Sequence, residues 1–278
     1  MSDFITHPFY KMHGAGNDFI MFDNRSGWMA PDAYEKFRKL CQLHTGIGAD
    51  GLMLLSESDN ADFKLDYFNA DGYPGNMCGN GARCAVFLAH TLGMAPARCS
   101  FEINRVHYQA EVQQNRQVRL RMQMPEIVME SQELSSLLPG QFDMAYWVDT
   151  GVAHLVVKSN DPLEQVDVNK WGSYLRHHWL FRPDGVNVNF VYPGEHQSFH
   201  ARVYEKGVEA ETLACGTGAV ACGFFAAKEL NWTSPVSVIF PGGELRVEFE
   251  NDFQGTYLNG AVSLVFEGRL SRGYLEGL

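Results

Sequence analysis

Residues 78–87 read CGNGARCAVF and residues 215–224 read CGTGAVACGF; five of the ten positions are identical, and the segments lie 137 positions apart in a chain of 278. A match at close to half the chain length marks a duplicated unit, so the sequence reads as two similarly folded lobes, each placing one Cys-Gly-x-Gly turn at the start of a helix. Small residues recur at helix starts for ordinary reasons, and the glycines alone would not carry this reading. A cysteine leading both turns does. The expected helices run over 81–92, with Gly93 as the stop, and over 218–230.

Around these segments, alternation with period two predicts strands over 62–69, 106–112, 118–124, 154–158, 186–192 and 199–204. Residues 236–240 (VSVIF), 241–243 (PGG) and 245–250 (LRVEFE) read as a hairpin, and 113–117 as a turn between two others. A further helix is expected over 31–44, where Pro31 suits the first turn and Tyr34, Phe37, Leu40 and Cys41 share a face. The expected class is α+β, with antiparallel pairing dominating over repeated βαβ units.

Lys and Arg number 22 against 33 Asp and Glu, a formal charge of −11 without a basic run, which argues against nucleic acid and anionic membranes as partners. No window is long and apolar enough for a membrane span, and residues 1–11 lack the pattern of a signal peptide, so a cytoplasmic protein is expected. Six cysteines (Cys41, Cys78, Cys84, Cys99, Cys215, Cys222) without a CxxC pair are read as thiols, not as a disulfide framework or a zinc ribbon. His13-Gly14-Ala15-Gly16 looks like a phosphate loop, but Phe19 stands where the dinucleotide fingerprint needs its third glycine; the segment is read as a tight turn that positions Asn17.

The first amides of a helix have no internal acceptor and sit at the positive end of the helix dipole. A Cys-Gly-x-Gly start can therefore hold a carboxylate and lower a thiol pKa together. Two such turns facing one ligand across a cleft fit inversion at carbon: one thiolate takes a proton from the carbon beside a carboxylate, and the opposite thiol returns one to the other face. A lone cysteine is most simply a small buried hydrophobe, and that reading is kept for Cys41, Cys84, Cys99 and Cys222.

The sequence resembles the diaminopimelate epimerase family along essentially its whole length. The likeness rests on residues 11–19 (KMHGAGNDF), 45–51 (TGIGADG), 68–72 (FNADG), 77–84 (MCGNGARC), 185–190 (GVNVNF), 204–218 (YEKGVEAETLACGTG) and 241–243 (PGG). It implies two pseudo-symmetric lobes, 1–124 completed by 265–278 and 125–264, each a mostly antiparallel sheet wrapped around a central helix, with the site in the cleft between them. The implied activity is the interconversion of LL- and meso-diaminopimelate in lysine and peptidoglycan precursor synthesis, with no pyridoxal phosphate, no metal and a homodimeric assembly. Carried over by residue, Cys78 and Cys215 become the acid/base thiols, and the amides of Gly79, Asn80, Gly216 and Thr217 hold the carboxylate. Asn17, Asn69, Asn187 and Glu205 hold the substrate's polar groups, and His154, with Glu205, supports the thiols. Taken singly, each of these polar residues could instead be a local cap, a satisfied buried ring or a solvated charge.

Two motifs depart from the family. Its Glu-Arg-Gly is here Glu205-Lys206-Gly207, and its Gly-Asn-Pro-His is here Gly151-Val152-Ala153-His154. Lysine offers a carboxylate a point charge where arginine offers a fork, and valine removes an amide. Diaminopimelate remains the expected substrate, with Lys206 pairing its distal carboxylate. The alternatives are a cofactor-independent racemase of another amino acid such as histidine, a non-catalytic amino-acid-binding protein of the same fold, and a thiol hydrolase using one cysteine with His154. Proline racemases rank lower because their first motif has histidine where Asn80 stands, and phenazine-type isomerases lower again because they lack both cysteines.

Overall fold

A computed structural model describes residues 5–250 and 252–277. The chain groups into two compact units: residues up to Leu120 together with those from Ala261 onward, and Arg121–Gly260.

The first unit contains β1 (Phe9–Gly14), β2 (Asn17–Asp23), α1 (Tyr34–Cys41), β3 (Gly51–Ser56), β4 (Phe63–Asn69), α2 (Gly79–Thr91), β5 (Arg98–Ile103), β6 (Val106–Val112) and β7 (Gln117–Met122). Ala15 and Gly16, both at positive φ, make the two-residue turn between β1 and β2, the backbone such a hairpin demands. Neighbouring strands follow chain order to β7 and then β16 (Gly255–Gly268), which pairs back onto β1 and closes a barrel. A short helix (Arg272–Glu276) follows β16.

The second unit contains β8 (Glu126–Met129), α3 (Ser131–Leu134), β9 (Phe142–Asp149), β10 (Ala153–Ser159), α4 (Val168–Arg176), β11 (Asn187–Pro193), β12 (Ser198–Glu205), β13 (Ala210–Thr212), α5 (Gly216–Glu229), β14 (Val236–Phe240) and β15 (Gly243–Glu250). Its strands neighbour one another in the order β8, β9, β10, β11, β12, β14, β15, β16, with β13 beside β12.

The pattern of pairing recurs between the units. In the first, β2/β3 and β4/β5 are parallel, and the other consecutive pairs from β1 to β7 are antiparallel. In the second, β10/β11 and β12/β14 are parallel, and the other neighbours from β9 to β16 are antiparallel. Parallel neighbours cannot be joined by a hairpin, and each such pair is bridged by a helix: α1, α2, α4 and α5 in turn. Antiparallel pairing dominates as expected, yet each unit carries two βαβ crossovers that alternation alone does not reveal.

Helices α2 and α5 are apolar nearly all round and buried from their first turns, as central helices must be. Helix α1 packs Phe37, Leu40 and Cys41 on Ile20, Phe22, Leu52 and Leu54; helix α4 packs Val168 and Leu175 on Leu155, Val157, Val188 and Phe190. Strands β2, β3, β10 and β11 therefore carry a helix on each face. Their remaining residues look toward the central helix, which puts Asn17 and Phe19 on that face in one unit, and His154, Asn187 and Asn189 in the other. No helix among the described residues is long and apolar enough to cross a membrane.

Candidate active site

Cys78 and Cys215 are the N-cap residues of the two central helices, with nearly the same extended backbone, φ −111°, ψ 115° and φ −125°, ψ 121°. The first bonds internal to the helices run from the Ala82 N–H to the Cys78 carbonyl at 2.8 Å and from the Ala219 N–H to the Cys215 carbonyl at 2.9 Å. The amides before them, Gly79 and Asn80 in one turn and Gly216 and Thr217 in the other, lie at the positive end of the helix, where an anion is favoured. Neither helix uses a side-chain cap.

In the first unit the Cys78 thiol donates to Asn17 Oδ1 at 3.5 Å, and the Asn17 amide donates in turn to Asp50 Oδ2 at 2.6 Å. Lys11 reaches both Asp18 and the Gly48 carbonyl, which ties the 45–51 loop to β1 and sets Asp50 opposite Asn17. Gly14 is needed for close approach: a Cβ there would lie 3.1 Å from the Asn80 carbonyl oxygen, so its role is to seat the hairpin on the helix start. The Asn80 side chain is buried and accepts from the Arg83 guanidinium at 2.9 Å, which leaves its backbone N–H as the part to meet a ligand. Asn69 ends β4 with an exposed side chain, and its backbone binds Gly72 and Tyr73.

In the second unit Cys215 is 8% exposed, with its sulfur 3.4 Å from Thr217 Oγ1. Thr217 is also 2.9 Å from His154 Nε2, and His154 Nδ1 is 3.0 Å from the side-chain amide of Asn189. His154 is fully buried, and desolvation drives its pKa down to about 3, so the ring is neutral. Asn187 accepts from the Lys206 backbone N–H at 2.8 Å and donates to the Ala153 carbonyl at 3.4 Å, so it braces the turn after β12. Glu205 accepts from the Thr212 hydroxyl, and the Lys206 side chain is exposed. Val152 is half-exposed, and its carbonyl accepts from Thr150.

His154 stands 137 positions after Asn17, the same offset that separates the two cysteines. The repeat thus extends to the side chains beside the sulfurs: an asparagine oxygen meets Cys78 directly, and a histidine reaches Cys215 through a threonine. Lys11 and Asp50 lie within quoted motifs but carried no role in the sequence reading, and neither did two buried members of the clusters. Arg83 is wholly buried under the Cys78 turn, donating to the Gly79 carbonyl at 3.2 Å as well as to Asn80, and Val220 takes the corresponding place in the other helix. Asn189 is wholly buried beside His154, with its Oδ1 lacking a protein partner among the described residues. A cation inside an apolar helix and a second asparagine on the Asn187 face were the signals available for them.

All six cysteines are thiols. Burial pushes Cys41, Cys84 and Cys99 up to about 12 and raises Cys222 as well, so these four stay protonated. Among the described residues no cluster of three or more His, Cys, Asp or Glu could hold a metal ion.

The family model described as diaminopimelate epimerase matches residues 9–128 and 146–265. The chain is 41% identical to a diaminopimelate epimerase of Aquifex aeolicus over 96% of its own length and 99% of the relative's. It is 42% identical to one from Chlorobaculum tepidum, with 94% and 100% covered. Among solved structures, a phenazine biosynthesis protein of the PhzF family from Bacillus anthracis aligns with a TM-score of 0.72 at 14% identity, covering 95% of this chain and 98% of that one. A hydroxyproline epimerase from Agrobacterium vitis aligns at 0.67 and 13%, covering 96% and 92%. These structural likenesses bear on the fold alone, and they match the α+β architecture of paired units described above.

Proposed function

The chain belongs to the diaminopimelate epimerase family, and on that footing we propose that it interconverts LL- and meso-diaminopimelate without pyridoxal phosphate, with Cys78 and Cys215 as the two proton-transfer groups. One sulfur, as thiolate, removes the α-proton; the other, as thiol, protonates the opposite face, and the centre inverts. Charge developing toward the α-carboxylate is stabilised by the amides of Gly79, Asn80, Gly216 and Thr217. Asn17, Asn69, Asn187, Glu205 and Lys206 hold the substrate's polar groups, and His154 and Glu205 support the thiols. The observation that carries this reading is the repeated helix cap: two cysteines of matching backbone geometry, each linked to a polar residue at the same offset.

The reaction needs reduced thiols, which suits the cytoplasm. A homodimer is supported by Leu264, Val265 and Phe266, consecutive on β16 and 37%, 55% and 45% exposed, an unusual run of apolar surface for a strand.

A second reading, a racemase of another amino acid such as histidine, is favoured by Lys206 and Val152, where the family has an arginine and an amide. Incubation with LL-diaminopimelate in heavy water decides: the expected result is meso product carrying deuterium at the α-carbon. Deuterium entering histidine or another amino acid but not diaminopimelate overturns the substrate, and none entering any amino acid leaves a binding protein.

A further inference from the structure

Behind the Cys215 turn, three side chains form a hydrogen-bonded line whose direction is decided at its far end. The Asn189 side-chain nitrogen lies 3.0 Å from His154 Nδ1 and 3.5 Å from the Leu155 carbonyl oxygen. A carbonyl only accepts, so the group facing both atoms is the NH2, and His154 Nδ1 is an acceptor. A neutral imidazole that accepts at Nδ1 carries its hydrogen on Nε2. That hydrogen points at Thr217 Oγ1, 2.9 Å away, and occupies one of its lone pairs. The hydroxyl has one hydrogen of its own, and Cys215 Sγ lies within reach as an acceptor at 3.4 Å.

We propose that Asn189 and Thr217 are positioning residues: Asn189 fixes the tautomer of His154, and the fixed ring turns the Thr217 hydroxyl hydrogen onto the Cys215 sulfur, favouring its thiolate. The link to turnover rests on the two-thiol reading above; the hydrogen-bond line itself does not. Burial keeps His154 neutral, so the ring works by orientation and hands no proton onward. Gly218 makes room for the arrangement, since a Cβ there would lie 2.3 Å from Asn189 Oδ1. The first unit has the opposite polarity, because Cys78 donates to the oxygen of Asn17.

Two measurements without substrate test this. In protein labelled with 15N-histidine, with the His154 signal assigned by its loss in His154→Gln, the wild type should show the Nε2–H tautomer. Asn189→Asp, which offers only acceptors, should move the hydrogen to Nδ1. In a Cys78→Ala background, iodoacetamide at neutral pH should alkylate Cys215 roughly fivefold more slowly in Thr217→Val, the loss of one hydrogen bond, and at the parent rate in Thr217→Ser. In the enzyme with both thiols, Thr217→Val should lower kcat with KM nearly constant, and Thr217→Ser should restore it. An Nδ1–H tautomer in the wild type, or an unchanged alkylation rate in folded Thr217→Val, overturns the proposal. If Asn189→Asp fails to fold, the wild-type tautomer and the Thr217 pair still decide it. A protein that passes both tests yet inverts no amino acid would overturn the function and leave the hydrogen-bond line standing.

Discussion

The side-chain amide of Asn17 donates to Asp50 Oδ2 at 2.6 Å, and because a carboxylate can only accept, the oxygen of Asn17 is the atom that meets the Cys78 sulfur. The orientation of one short side chain, settled by an aspartate 33 residues away, makes Cys78 a hydrogen-bond donor.

Asp50→Asn removes that constraint and lets Asn17 turn an N–H toward the sulfur. Cys78 should then react with iodoacetamide several-fold faster at neutral pH, in line with a hydrogen bond of roughly 1 kcal/mol changing sides, while turnover falls. Peptide mass spectrometry after timed alkylation reads the site directly, and an unchanged rate would contradict the orientation argument.

Cys78→Ala and Cys215→Ala should each reduce inversion by about a thousandfold or more, within the range general acid and base groups supply. Cys78 is only partly buried and the change at Cys215 is small, so melting temperatures should move little. Near-normal inversion in either folded variant would sink the two-thiol mechanism.

His154 makes acid stability diagnostic. Its folded pKa of about 3 lies below the ordinary value near 6.5, so below that value the unfolded chain binds a proton the native state refuses. Its contribution is complete above about pH 6.5 and is lost progressively as the pH falls toward 3, at up to roughly 1.4 kcal/mol per pH unit. Urea midpoints between pH 7 and 5 should fall more steeply for the wild type than for His154→Gln. Parallel curves would show that the ring is not held neutral.

Gly218→Ala should destabilise the second unit by roughly 1 to 3 kcal/mol and impair turnover, because the new methyl displaces Asn189 from His154. Urea unfolding measures the first effect and the 15N-histidine signature the second. An alanine variant with wild-type stability and tautomer would show that the buried asparagine has room to spare.

Lys206→Arg should lower the KM for diaminopimelate several-fold if the distal carboxylate docks there, since a guanidinium binds it through two parallel bonds. Steady-state kinetics with diaminopimelate and histidine in parallel separate the two substrate readings; an unchanged or raised KM for diaminopimelate favours the other amino acid.

How much of this was legible in the sequence depended on what each strand faces. Residues 106–112 and 236–240 alternate because one face meets solvent, and they are strands over those bounds. Strands β1, β2 and β3 escaped because a helix or core covers both faces, which turns alternation into near-continuous apolar runs such as GLMLLS in β3. Helix α4 was also missed: Val168, Trp171 and Leu175 have helical spacing, but Gly172 dilutes the pattern, and the Asp167 cap becomes evident only with its bond to Lys170. The cysteine turns were visible because the motif is short, local and repeated. The Asn189–His154 contact was not, because it depends on the parallel register that sets Val156 beside Asn189 and His154 beside Asn187.

The last strand has a consequence for how the chain matures on the ribosome. Strand β1 gains its β16 partner only from residues beyond Ala261, so the barrel of the first unit cannot close until those residues have left the ribosome, whereas Arg121–Gly260 already holds β8 to β15 entire. Of the two units, the one begun earlier is completed later. Until then the outer edge of β1 offers unsatisfied backbone groups to any passing strand, a period of vulnerability during synthesis that the finished enzyme no longer shows.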